Sequence, residues 1–182
     1  MKIIETFIEG LTIIKPTLIK DNRGFFYESH NKKILDKVTN INFVQDNVSI
    51  SKQGVIRGLH FQIPPFDQTK LVGCLSGNIL DVVLDLRKKS KTFGKTFKII
   101  LSNKNNMSLF IPRGFGHAYY SYEKENIIYY KLDNFYKPEY EDGINALDKN
   151  IKIKWPTKKF LISKKDKKLG SLKNFITEYK YL

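Results

Sequence analysis

Short runs of alternating apolar and polar residues, each ended by a turn signal, constrain the fold of this chain more than any other feature. The segment NILDVVLDLRK (78–88) has leucine or valine at every second position, and KTFKIILS (95–102) alternates in the same way. A period of two is typical of a β-strand with one buried face. Gly, Asn, Asp and Ser mark the turns between such runs. The clearest turns are DNRG (21–24), SKQG (51–54), LSG (75–77) and SNKNN (102–106).

Many short strands at close spacing predict a mostly β protein, a β-sandwich or small barrel of the jelly-roll kind. Helical periodicity is limited to HNKKILDKV (30–38) and a segment near the C-terminus, so we expect only a few short helices. A chain of 182 residues is long enough for one domain with a substantial core and short for two. With no internal repeat or linker, we predict a single domain over residues 1–182.

Three features bear on the compartment. The longest apolar runs have only a few residues, so no membrane span is expected. Glu5 and Glu9 interrupt the apolar N-terminal segment, which therefore lacks the core of a signal peptide. The single Cys74 excludes an internal disulfide framework. We expect a cytoplasmic protein without a membrane partner.

The net charge of +14 raises the question of a nucleic-acid partner. Only four of the 32 basic residues are arginines, and ten lysines lie in residues 151–182. Lysine faces are usually solvated, and a basic patch without a recognisable reading module is weak evidence for nucleic-acid binding. We therefore predict no nucleic-acid partner, and an anionic small ligand fits the charge at least as well.

The stretch GVIRGLHFQIPPFDQTKLVG (54–73) places polar residues in an otherwise apolar strand pair. Alternation puts His60 and Gln62 on one face, and Lys70 follows close enough to face them. Strict alternation would send Arg57 to the opposite face, unless Gly58 hosts a bulge that re-aims one side chain. An isolated histidine here would be a core residue with a backbone partner, but three convergent polar groups predict a pocket.

The second candidate histidine is His117, after the turn in IPRGFGHA (111–118). By itself it is equally consistent with packing and with function. Metal sites in jelly-roll barrels usually need a His-x-His pair with further ligands, and the sequence has no such pair. We therefore predict no metal site.

Other polar residues are candidates for ligand binding only if they lie near that pocket. Gln45, Asn47 and Ser49 share one strand face, and a row of amides suits hydrogen bonding to a planar base. Arg23 stands beside aromatic residues, and arginine pairs well with phosphate oxygens. Asp166, among lysines, reads as a surface turn unless the tail folds back over the pocket.

Six segments together resemble the dTDP-4-dehydrorhamnose 3,5-epimerase family over about residues 10–170. The resemblance implies a cupin-type jelly roll that forms a homodimer and acts without metal or redox cofactor on a nucleotide-linked 4-keto-6-deoxy sugar, in deoxysugar biosynthesis. The segments, in family order, are DNRGFFYE (21–28), FVQDNVSISKQGVIRGLHFQIPPFDQTKLV (43–72), DVVLDLRKKSKTFGK (81–95), IPRGFGHAYY (111–120), YYKLDNFY (129–136) and KNIKIKWP with SKKD (149–166).

The resemblance also implies roles for individual residues. His60 matches the catalytic base, Asp166 the carboxylate that orients it, and Tyr130 the general acid on the other side of the sugar. Lys70 matches the cation beside the sugar oxygens. The residues expected to bind the substrate are Arg23, Phe25, Glu28, Gln45, Asn47, Arg57, Gln62, His117 and Tyr136.

Two departures leave the reaction open at this stage. The segment LVGCLSG (71–77) and the segment KKLGSL (167–172) both differ from the usual family pattern near the sugar. Inversion at C3, at C5 or at both is open, as is a GDP-linked 4-keto-heptose instead of a dTDP-linked hexose. The alternatives are a 3-epimerase, a 3,4-ketoisomerase, or a non-enzymatic jelly roll that binds sugar nucleotides or nucleic acid.

Overall fold

Two antiparallel sheets face each other in a computed structural model that describes residues 1–37 and 39–179. The strands of the described residues are β1 (Lys2–Glu5), β2 (Thr12–Lys15), β3 (Ile19–Asp21), β4 (Gly24–Phe26), β5 (Gln45–Lys52), β6 (Val55–Gln62), β7 (Lys70–Ser76), β8 (Asn78–Asp85), β9 (Thr96–Ser102), β10 (Ser108–Ile111), β11 (Phe115–Ser121), β12 (Glu125–Leu132), β13 (Glu141–Gly143) and β14 (Leu161–Ile162). The helices are α1 (Lys32–Leu35), α2 (Lys164–Lys167), α3 (Leu172–Glu178) and a 3₁₀ turn at Pro138–Tyr140.

The first sheet has the strand order β1-β2-β10-β7-β12-β5, so β5 is an edge strand. The second sheet has the order β13-β6-β11-β8-β9, with the short β14 pairing in parallel to the start of β6. Strands β3 and β4 form a separate hairpin. Neighbours in the sheets are mostly not neighbours in sequence, which is the connectivity of a Greek-key sandwich.

The main core lies between the two sheets. It contains Val72 and Ile128 from the first sheet and Ile79, Val83 and Leu101 from the second, all without solvent exposure. Burial of such side chains contributes about 1.5–3 kcal/mol each. The predicted alternation of 95–102 is confirmed, because Phe97, Ile99 and Leu101 face this core, whereas Ile100 is exposed.

A second cluster covers the outer face of the second sheet. Leu59 and Leu84 pack there against Ile144, Leu172 and Phe175 of the C-terminal segment. This covering explains why β8 is buried on both faces from Val82 onward, although its sequence alternates. It also brings the tail back across the end of β6.

The predicted turns are confirmed, since each joins two consecutive strands. The predicted helix over 30–38 is shorter: Asn31 caps α1, which ends at Leu35, its one buried residue. Val38 lies outside the described residues, as do residues 180–182 of the tail. None of the described helices has the length and apolar character needed to cross a bilayer.

Candidate active site

A polar cavity of about 100 Å³ opens at one end of the sandwich, where inward-facing side chains of both sheets change from apolar to polar. Its lining residues are Asn47, His60, Phe61, Gln62, Gln68, Lys70, Tyr130, Leu132, Tyr136 and Glu141. A larger, more open cleft of about 500 Å³ adjoins it and shares His60. Arg57, Lys165 and Asp166 line this cleft. His60 is therefore accessible from both spaces.

A β-bulge at Gly58 sets which β6 side chains reach this region. His60 is opposite His117, but Arg57 is opposite Tyr119, so two residues of β6 face one residue of β11. Gly58 has a φ of +111°, a backbone conformation that favours glycine. The extra residue brings Arg57 to the same face as His60. Of the two arrangements that the sequence left open, the structure has the bulge and not strict alternation.

His60 forms a hydrogen-bonded pair with a carboxylate from the tail. Its Nε2 lies 2.9 Å from Oδ1 of the buried Asp166. The other carboxylate oxygen accepts a hydrogen bond from the amide of Gly58, and the Asp166 amide donates to the side chain of Ser163, the cap of α2. Burial alone would raise the pKa of Asp166, but the hydrogen bond and charge interaction with His60, together with the hydrogen bonds to Gly58 and Ser163, outweigh burial and lower that pKa. The pair therefore favours a charged carboxylate beside the imidazole.

Lys70 extends from β7 toward β6, and its Nζ donates to the carbonyl of His60 over 3.4 Å. Removal from solvent lowers the pKa of Lys70 to about 8, although the charges of Glu141 and Asp81 act in the opposite direction. At neutral pH the ammonium group is still charged. It can stabilise an oxyanion that forms within the cavity.

Tyr130 faces the cavity from the first sheet, opposite the sheet that carries His60. Burial raises the pKa of its phenol, while hydrogen bonding to Asn47, its cross-strand partner, opposes that shift. Tyr136 lies at the rim and donates to Glu141 over 2.5 Å. This contact raises the pKa of Tyr136 to about 12. Both phenols therefore stay protonated at neutral pH.

Arg57 is held by a short chain of hydroxyl groups. Its Nε donates to Ser51 over 3.1 Å, and the hydroxyl of Tyr119 lies 2.9 Å from Ser51 and 2.8 Å from Ser49. The predicted row of side chains on one face of β5 is confirmed. The hydroxyl of Ser49, however, is hydrogen-bonded to Tyr119 within the protein.

His117 lies behind the cavity and not on its wall. Its Nε2 is 2.8 Å from Oδ2 of Asp81, which has no solvent exposure. The other oxygen of Asp81 is buried without a hydrogen-bond partner among the described residues. This second histidine–carboxylate pair lies beside the first, because His117 and His60 are paired across β11 and β6.

The other predicted substrate-binding residues divide into two groups. Gln45 joins the site through Asn47, to which its amide donates over 3.0 Å. Arg23, Phe25 and Glu28 lie on or just after the β3–β4 hairpin, and none of them lines the cavity or the cleft around His60. The Arg23 side chain is 86% exposed and pairs with Asp21.

Sequence reasoning missed several polar residues of this region, among them Glu141, Lys165 and Asp81. Glu141 lines the cavity, and Lys165 forms an ion pair with it. Neither carried a signal, because each stands among other charged residues. Asp81 did carry one, since it is a carboxylate in the middle of the apolar run ILDVVL (79–84).

The described residues contain no group of three or more His, Cys, Asp or Glu side chains placed to hold a metal ion. His60 and His117 are each paired with a single carboxylate.

Comparison with known proteins places these observations in a family. The profile of the family described as dTDP-4-dehydrorhamnose 3,5-epimerase matches residues 5–174. The chain belongs to this family. The enzyme of that name from Shigella flexneri is 44% identical over 168 residues, which cover 91% of this chain and 93% of the relative.

Solved structures of the dTDP-4-dehydrorhamnose 3,5-epimerase family agree with the fold. The Bacillus anthracis protein with TDP and PPi bound is 42% identical, with a TM-score of 0.91, and the match covers 93% of this chain and 98% of that one. The Legionella pneumophila protein in complex with dTDP-4-keto-L-rhamnose is 40% identical, with a TM-score of 0.91 and coverage of 94% and 93%. The predicted cupin-like jelly roll and the predicted class, an isomerase acting on carbohydrates, are confirmed.

Proposed function

We propose that this protein epimerises a dTDP-linked 4-keto-6-deoxyhexose at C3 and C5 by proton abstraction and return, without a cofactor. One observation supports this most: His60, paired with Asp166, and the phenol of Tyr130 face one cavity from opposite sheets. A base on one side of a sugar ring and an acid on the other is the arrangement that inversion of a carbon requires.

The 4-keto group makes the protons at C3 and C5 acidic, because the carbanion left behind delocalises as an enolate. A neutral imidazole at His60 is basic enough to take such a proton near pH 7. Asp166 holds the imidazole in one tautomer and stabilises the imidazolium that forms, as the carboxylate of a catalytic triad does. The pairing distance of 2.9 Å supports this role.

The enolate then needs a cation at O4 and a proton from the other face. Lys70 supplies the cation, and electrostatic help of this kind typically contributes about 3–4 kcal/mol. Tyr130 donates the proton, because burial keeps its phenol protonated. Each inversion moves one proton to His60 and one from Tyr130, and exchange with solvent restores both groups.

Two amide side chains, and relatives with bound thymidine nucleotides, support a thymidine nucleotide as the carrier of the sugar. Gln45 and Asn47 stand on the inner face of β5 beside the cavity, and amides match the hydrogen-bonding edge of a pyrimidine. TDP in the Bacillus anthracis relative and dTDP-4-keto-L-rhamnose in the Legionella pneumophila relative point the same way. We propose a cytoplasmic location for this reaction.

We further propose a homodimer in which each β3–β4 hairpin completes the site of the other protomer. The hairpin exposes Ile19, Phe25 and Phe26. The edge strand β5 exposes Val48 and Ile50 on its outer face. Apolar patches of this kind mark protein–protein contacts, and a second copy would bring Arg23 to a pocket that its own chain leaves out of reach.

The test is NMR in deuterated water with dTDP- and GDP-linked 4-keto sugars. We expect deuterium at C3 and C5 of the dTDP sugar, loss of all exchange in His60→Asn, and exchange without inversion in Tyr130→Phe. The matched control is His30→Asn, since His30 packs on Phe43 away from the cavity. Exchange retained by His60→Asn would contradict the base assignment. Inversion at C3 alone would show a 3-epimerase, and a shifted carbonyl a ketoisomerase.

A further inference from the structure

Three glutamine side chains hold one loop at the rim of the cavity. This loop, the 133–137 loop, follows β12 and consists of Asp133 to Lys137. Gln68 donates to the carbonyl of Asn134 over 2.8 Å, Gln62 donates to that of Phe135 over 3.2 Å, and Gln45 accepts from the amide of Tyr136 over 3.0 Å. Since all these contacts are to backbone, they fix the path of the loop whatever side chains it carries.

Gln62 forms more of these hydrogen bonds than the other two glutamines. Its side-chain NH₂ donates to Phe66 and Phe135, and its carbonyl oxygen accepts from the amide of Lys137 over 2.6 Å. The residue is 7% exposed. Both amide hydrogens are therefore used within the protein, which leaves no side-chain donor for a ligand.

The 133–137 loop carries Tyr136, which lines the cavity together with Gln62. Tyr136 donates to Glu141, and Glu141 also pairs with Lys165, the neighbour of Asp166. The loop is thus connected to the tail segment that supplies the partner of His60. A shift of the loop would change both the width of the cavity and this connection.

We propose that Gln62 is a positioning residue for the sugar: it holds the 133–137 loop so that Tyr136 closes the sugar end of the cavity, and does not itself bind the substrate. This inference rests on the proposed function for the part that concerns sugar. Its structural part, the anchoring of Tyr136 by Gln62, is independent of any activity. A displacement of about 1 Å at such a contact can cost on the order of a hundredfold in rate.

The first test measures amide hydrogen exchange in the protein without substrate. The variant Gln62→Met has similar size but lacks both hydrogen-bonding groups, and Gln53→Met makes the same change in an exposed turn. We expect exchange at Tyr136 and Lys137 to rise at least tenfold in Gln62→Met and to stay unchanged in Gln53→Met. Unchanged exchange in Gln62→Met would overturn the anchoring.

The second test is a double-mutant cycle on epimerisation with Tyr136→Ala. We expect Gln62→Met to lower kcat/KM about tenfold and to change the ratio of C3 to C5 exchange, and to have no further effect once Tyr136 is alanine. An equal loss in both backgrounds would show direct substrate binding by Gln62 and overturn the proposal. If Gln62→Met fails to fold, Gln62→Glu takes its place in both tests. It loses both donors to the loop and to Phe66 but keeps the acceptor for Lys137, so amide exchange is then read at Tyr136 alone.

A wild-type protein that exchanges no carbon-bound proton would overturn the proposed function and with it the role of Tyr136 toward sugar. The hydrogen-exchange result would still decide whether Gln62 anchors the loop. The two failures are therefore distinguishable.

Discussion

The charge of Lys70 determines how the proposed reaction depends on pH. Its pKa is lowered to about 8, chiefly by removal from solvent. The neutral amine cannot stabilise an enolate, so we expect kcat/KM, which reports the free enzyme, to fall as pH rises through about 8. Tyr130 does not account for such a fall, because its pKa is raised above its ordinary value.

The matched variant is Lys70→Arg, which keeps a positive charge well above pH 10. We expect lower activity, because the guanidinium does not fit the ammonium position, but a high-pH decline that moves up by at least one unit. A decline at the same pH in both proteins would contradict the assignment. The lowered pKa also means that the unfolded chain binds more protons between about 8 and 10.5, so this residue should make stability rise with pH over that window.

For single residues, the residue type predicted the candidate chemistry well but did not predict which side chains form hydrogen-bonded pairs. A histidine, a lysine and a tyrosine in apolar strands were recognisable as candidate groups from the sequence. The partner of His60 was not, because Asp166 is 106 residues away and reads locally as one more charge in a lysine-rich turn. The family resemblance, not the pattern, identified it.

Among the secondary-structure elements, the β-bulge of β6 gives the clearest prediction for the free energy of unfolding. A Cβ at Gly58 would lie 2.3 Å from the carbonyl oxygen of His117 and 2.7 Å from Ala118, and φ is +111°. Clash and backbone strain together should lower the free energy of unfolding of Gly58→Ala by about 4 kcal/mol or more. Urea denaturation measures this loss.

The control for that substitution is Gly24→Ala in the β3–β4 hairpin. Gly24 also has a positive φ, +133°, but nothing lies within 4 Å of an added Cβ. Gly24→Ala should therefore lower the free energy of unfolding only through backbone strain, by about 1–3 kcal/mol. Equal losses at the two positions would contradict the close approach of β6 and β11.

Strands were predictable where one face is apolar. Gly58, between two polar residues, marked where a bulge could form, but the sequence did not decide between a bulge and strict alternation. The helix over 30–38 was overpredicted. Only Leu35 of α1 is buried, and tertiary packing of an apolar face supplies most of the stability of short helices.

For the whole molecule, the proposed exchange of hairpins predicts complementation between two impaired variants. Arg23→Ala removes the proposed phosphate-binding group, and His60→Asn removes the proposed base. In a mixed dimer, one site would combine an intact His60 with the partner's intact hairpin. We expect the mixture, after dissociation and reassociation, to regain about a quarter of wild-type activity, since half of the dimers would be mixed and have one working site.

Activity assays of the separate and mixed variants, with size measured by light scattering, test this arrangement. No recovery in a mixture shown to contain mixed dimers would mean that each hairpin serves its own protomer. A monomer at working concentration would contradict the dimer itself.

Local information in the chain accounts for the β class, the turns, the bulge and the reactive residue types, because these depend on periodicity and on residues close together in sequence. The site itself depends on contacts that span most of the chain: His60 to Asp166, and Gln45 to Tyr136 over 91 residues. The packing of the sheets and the tail decides which of many similar charged and amide side chains come into contact. Burial of Leu172 and Phe175 against β6, for example, brings the tail to His60. The apolar–polar periodicity of the sequence contains no information on that packing, so only the tertiary structure determines these pairs.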